Sequence, residues 1–145
     1  MELDRIVIGI DFSEPSLAAA RWTARHFAPD AELILVHSIE IPRPPGYLEK
    51  LLGPAPELVE NAREGAERRL RELAGELDGA RVRLELREGR PSDRIAEVAD
   101  SVRADVIVVG EHGHHRGFGD ILGSTAERLT RSAPAPVLLA RRLRP

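Results

Sequence analysis

Asp11 and a series of spaced glycines are the residues of this sequence best placed to do chemistry. Asp11 comes immediately after the apolar run of residues 5–10. The second feature begins at Gly110, passes through Gly113, Gly117 and Gly119, and ends at Gly123-Ser124-Thr125. Glycine lets backbone N–H groups approach an anion with no Cβ in the way. Residues 124–132 read as a helix, and a helix N-terminus offers unpaired N–H donors and a favourable dipole to a phosphate. The hydroxyls of Ser124 and Thr125 can add hydrogen bonds. The plainer alternative is a flexible loop with Ser124 as an ordinary helix cap.

Other chemistries are less well served. No lysine follows the glycines, and Lys50, the only lysine, lies far away, so this is not a Walker loop. Gly117-x-Gly119 lacks the third glycine of a dinucleotide fingerprint, because position 122 is Leu. His37, His112, His114 and His115 raise the idea of a transition-metal site, but their spacing fits no standard zinc pattern. There is no cysteine, which removes disulfides, thiolate catalysis and cysteine zinc sites. No spacing would assemble a Ser-His-Asp triad, and no lysine is placed to stabilise a transferring phosphate.

The elements that must position Asp11 and the glycine loop can be read from hydrophobic periodicity. At 145 residues, the chain is one ordinary domain, 1–145, with 42% apolar and 31% charged residues, a soluble globular composition. A net charge of −3 gives no reason to expect a nucleic-acid or membrane partner. The N-terminus lacks the shape of a signal peptide and no stretch would cross a bilayer, so a cytoplasmic location is expected.

Residues 5–10, 33–37 and 105–109 are buried strands, and residues 137–140 form a final short one. Residues 81–87 alternate apolar and charged, as a strand near a sheet edge does. Ser13 is a plausible N-cap with Pro15 just inside a helix whose inner face is Leu17, Ala20, Ala24 and Phe27. A second stripe, Val59, Ala62, Ala66, Leu70, Leu73 and Leu77, marks a long helix, with Arg63, Glu64, Glu67, Arg68, Arg69 and Arg71 on its solvated side. Ile95, Val98, Ala99 and Val102 mark a third helix. The Pro-rich segment 41–56 reads as one long irregular connection, either a lid or a mobile surface loop.

Strands alternating with helices imply a parallel sheet with helices on both faces. In such sheets, ligands bind at the carboxyl ends of the strands where the winding direction reverses. If the first and fourth strands are neighbours, Asp11 and the glycine loop share one crevice.

The loop resembles the ATP-binding pattern of the universal stress protein family: Gly, two residues, Gly, nine residues, Gly, then Ser or Thr, here Gly110, Gly113, Gly123 and Ser124. The opening stretch with Asp11-Phe12-Ser13 is similar to the family's first strand, and Leu35-Val36-His37-Ser38, residues 105–110 and residues 135–139 resemble its second, fourth and fifth.

The resemblance implies an open five-stranded parallel α/β sheet in the order 3-2-1-4-5. It implies binding of ATP, or of AMP or ADP, by a stress-response sensor and regulator, with slow Mg-dependent ATP hydrolysis or a nucleotide-free dimeric scaffold as alternatives. Its nucleotide contacts carry over to Gly9 and Ile10 on the floor and Asp11 at the ribose or at a magnesium ion on the phosphates. The Ser38 backbone falls at adenine, Val109 and Gly110 beside the ribose, and Gly113, Gly123, Ser124 and Thr125 around the phosphates. His112 falls where the family often has His or Arg. Glu111 and Asp120 depart from the pattern, and as carboxylates near a triphosphate they would repel it unless they point to solvent or hold Mg²⁺. The implied order leaves Val137, Leu138, Leu139 and Ala140 on an exposed edge, where the resemblance implies a homodimer. A downstream protein partner is implied without being identified.

Overall fold

The computed structural model describes residues 2–41, 45–53, 56–112 and 122–141. The first strand, β1 (Arg5–Gly9), pairs in parallel with β2 (Glu32–Ile39) on one side and β4 (Val106–Gly110) on the other. Outside these, β3 (Arg81–Glu88) adds to β2 and β5 (Val137–Ala140) adds to β4. The order is β3-β2-β1-β4-β5, all parallel, as the resemblance implies. Strand ends fall within one or two residues of the periodicity reading.

Alternation along the strands builds two apolar layers. Ile6, Ile8, Leu33 and Leu35 face α1 (Glu14–Trp22) and α3 (Pro56–Glu76), where Ala19, Ala20, Ala66, Leu70 and Leu73 meet them. On the other face Val7, Ile34, Val36, Ile107 and Val109 meet Ile95, Val98 and Ala99 of α4 (Pro91–Val102) and Ala126 and Leu129 of α5 (Ser124–Ser132). The helices therefore cover both faces. The chain winds outward through β2 to β3, then returns across β1 to β4, so the reversal falls between β1 and β4.

Local chemistry sets the ends of the helices. Ser13 caps α1, its hydroxyl accepting the Ser16 N–H, and Pro15 sits in the first turn. The helix leaves through a wider turn, Thr23–Phe27, with the Trp22 and Phe27 rings stacked 5.4 Å apart. Pro91 opens α4, and Arg103 closes it in the left-handed region at φ 54°.

The Pro-rich segment differs from its sequence reading. It holds a helix, α2 (Gly46–Leu52), whose first turn is closed by the Leu48 N–H donating to the Pro45 carbonyl at 2.7 Å. Proline is tolerated at a helix start, where its missing N–H has no helical partner to lose, so Pro45 initiates structure that proline density argued against. Among the described residues, no helix is long and apolar enough to cross a membrane.

Candidate functional site

A cleft of about 750 Å³ opens at the carboxyl ends of β1, β2 and β4, where the winding reverses. That volume lies within the range of small-molecule sites. Gly9, Ile10 and Asp11 line it from the end of β1, Ser38 from β2, and Val109, Gly110 and His112 from the end of β4. Gly123, Ser124 and Thr125 line it from the start of α5. Gly113, Asp120, His114 and His115 lie outside the described residues.

The floor needs glycine at position 9. An added Cβ would lie 2.8 Å from Ile95 Cδ1 and 2.9 Å from Val109 Cγ1. Gly110 is constrained from the opposite side: its Cβ would come within 3.1 Å of Pro15 Cβ and 3.2 Å of the Pro15 carbonyl carbon. Its lack of a side chain thus lets β4 end directly against the start of α1.

Asp11 is fixed by the turn it opens. Its Oδ1 accepts the Ser13 N–H at 2.9 Å and also the Ser13 hydroxyl, while the Asp11 N–H points at Ser16 Oγ, 3.3 Å away. This turn places Phe12 at φ 63°, a conformation that costs free energy for a bulky residue. The buried Phe12 ring packs 4.6 Å from the His37 ring, and His37 Nδ1 lies 2.7 Å from the Ile10 carbonyl oxygen. The Ser38 hydroxyl donates to the Gly89 carbonyl at 2.8 Å, so it secures the β3–α4 turn. What the structure leaves of Ser38 for a ligand is its backbone.

Glu111, at the start of the glycine loop, ties it to Gly123 at its end and to β5. The Glu111 carbonyl accepts the Gly123 N–H at 2.9 Å, and the Glu111 N–H donates to the Ala140 carbonyl at 3.2 Å. The Glu111 side chain is buried and pairs with Arg141 at 2.5 Å, with His112 Nε2 at 3.6 Å. It does not line the cleft and does not point to solvent as the sequence reading allowed; it is buried against Arg141 instead. Gly123, not Ser124, is the N-cap of α5, and the first helical bond runs from the Glu127 N–H to the Gly123 carbonyl at 2.9 Å. The N–H groups of Ser124, Thr125 and Ala126 therefore precede the helical ladder, at the positive end of its dipole.

Among the described residues, no group of three or more His, Asp or Glu side chains could hold a metal ion by itself. Among the described residues Asp11 and Glu40 are the carboxylates that line the cleft, too few to hold a cation without ligands from a bound phosphate.

Sequence reasoning missed the wall built by α3. Asn61, Ala62, Gly65, Ala66 and Arg69 line the cleft, and the Arg69 guanidinium carbon stands 4.1 Å from the Phe12 ring centroid. The helical stripe puts Arg69 on the solvated side; it is exposed, but on the cleft side of the helix. Small residues at 62, 65 and 66 were the available sign that the N-terminal half of α3 leaves room above the strand ends. Nothing in the sequence distinguished Arg69 from its arginine neighbours.

The family model of the universal stress protein family matches residues 2–141. A universal stress protein of Methanocaldococcus jannaschii is 32% identical over 142 residues, covering 95% of this chain and 82% of its own. The structure of the hypothetical protein MJ0577 superposes with a TM-score of 0.81 at 26% identity, each chain covered in full. A universal stress protein crystallised in complex with cAMP superposes with a TM-score of 0.66 at 25% identity, covering 97% of this chain and 98% of its own. Against universal stress proteins of Mycolicibacterium smegmatis and Mycobacterium tuberculosis, the chain spans 47% of their length. The chain belongs to the universal stress protein family.

Proposed function

We propose that the chain binds an adenine nucleotide, ATP or its relatives AMP and ADP, in the cleft between β1 and β4, and that it acts as a nucleotide-responsive regulator in the stress response. The observation that carries this reading is the convergence of Asp11 and the α5 N-terminus on one cleft at the topological switch point. The phosphates lie at the N–H groups of Ser124 to Ala126, where the dipole and the unpaired donors favour negative charge. Asp11 meets the ribose, or a magnesium ion carried by the phosphates. The base extends towards the end of β2, where the Ser38 backbone is open to it. The cAMP complex of a family member supports an adenine nucleotide as the ligand class.

Regulation fits the site better than fast turnover. No lysine lines the cleft, and the Asp11 carboxylate is engaged by the Ser13 turn, poorly placed to act as a base. A nucleotide seated at the α5 N-terminus would change the surface there, which a partner protein could read. The test is calorimetric titration with ATP, ADP, AMP and cAMP, with and without Mg²⁺. Saturable binding of at least one adenine nucleotide is expected. Its absence in the folded protein would leave a nucleotide-free scaffold as the reading.

A further inference from the structure

Building on the nucleotide reading above, we propose that Arg69 is a contact of the purine base, and so sets base affinity rather than phosphate count. The topology divides the cleft into two ends. α5 packs beside β5 and α4 on one face of the sheet, and its N-terminus forms the anion end. α3 packs over β2 and β3 on the opposite face, so Arg69 stands at the other end, next to the termini of β1 and β2. A ligand with its phosphates on α5 extends its base towards this end.

Arg69 is held there by an aromatic stack. Its guanidinium lies over the Phe12 ring at 4.1 Å, and Phe12 lies against His37 at 4.6 Å. Phe12 reaches this position through a left-handed backbone, φ 63°, set by the Asp11–Ser13 turn. Two other arginines on α3 are committed to carboxylates, Arg63 to Glu88 and Arg71 to Glu67. Among the described residues no carboxylate pairs with Arg69; its partner is a ring, which takes one face of the guanidinium. The planar group is pre-positioned to stack on a base or to donate to its edge, uses for which arginine is suited and lysine is not.

The experiment titrates wild type, Arg69→Ala and Arg69→Lys calorimetrically with adenosine, AMP and ATP. Arg69→Ala is expected to weaken all three by a similar factor, on the order of tenfold, the scale of one lost base-stacking contact. Arg69→Lys keeps the charge but not the plane and should recover only a small part of that loss. A loss that grows from adenosine to ATP would make Arg69 a phosphate contact and overturn the proposal, as would unchanged affinities in both variants. Wild type that binds none of the three removes the nucleotide reading itself; wild type that binds while the variants are unaffected removes only the role of Arg69.

Discussion

Gly9 and Gly110 sit at adjacent strand ends for different physical reasons. Gly9 shares the sheet face of Val7, and the space its side chain would take is filled by Ile95 and Val109. Gly110 lets β4 approach the first turn of α1. Gly9→Ala should destabilise the fold by about 1–3 kcal/mol, the usual scale of overpacking. Adding Ile95→Val removes the nearer clash, at 2.8 Å, and should restore part of the loss. Urea midpoints for the three proteins check this, and an unshifted Gly9→Ala midpoint would mean the floor can relax. At this scale the sequence was partly legible. Asp11 and the glycines could be named from strand-end position and residue type, and Ser38 only from the family resemblance. The Glu111–Arg141 pair and the Arg69–Phe12 contact could not, since both depend on side chains brought together from distant parts of the chain.

Among the elements, the strands and the capped helices were the most readable. Buried strands announce themselves as apolar runs, and Ser13-Glu14-Pro15 carries cap and first turn together. The segment 41–56 was not readable, because prolines that resist a helix interior can still begin one, as Pro45 does. At the opposite end of the sheet from the cleft, Asp105 joins β4 to β1: its Oδ2 accepts the Asp4 and Arg5 N–H groups at 2.8 and 2.9 Å. These bonds, first that from Arg5 and then that from Asp4, hold its pKa below the ordinary carboxylate value. A depressed folded-state pKa contributes stability above the unfolded value, and that contribution is lost as pH falls through the folded one. Asp105→Asn should therefore lower the thermal midpoint at neutral pH, with the gap to wild type closing as the pH drops below the usual aspartate range. A gap independent of pH would show that the carboxylate charge plays no part.

For the whole molecule, the family resemblance supplied the strand order, which local periodicity cannot give. That order leaves β5 at an edge, and the register shows which of its backbone groups are available. The Ile107 N–H donates to the Pro136 carbonyl and the Glu111 N–H to the Ala140 carbonyl, so even-numbered residues of this strand turn towards β4. Val137 and Leu139 direct their backbone outward. We propose that this edge pairs with its own copy in an antiparallel two-fold dimer through Val137–Ala140. Leu139→Pro removes an outward donor and should yield monomers by sedimentation, whereas a proline at Leu138 would strike the internal ladder instead. A wild-type monomer at micromolar concentration, or a dimeric Leu139→Pro protein, contradicts this pairing.

Whether the α5 N-terminus holds the phosphates is tested most directly by titrating ATP into wild type and Gly123→Val side by side. Gly123 already has an extended backbone, φ −62° and ψ 152°, which valine also adopts, so the variant should fold. Its side chain would stand among the N–H groups proposed to hold the phosphates. Saturable ATP binding by wild type and its loss in a folded Gly123→Val protein is the predicted result. Equal ATP affinity in the two proteins, or none in wild type, would contradict it.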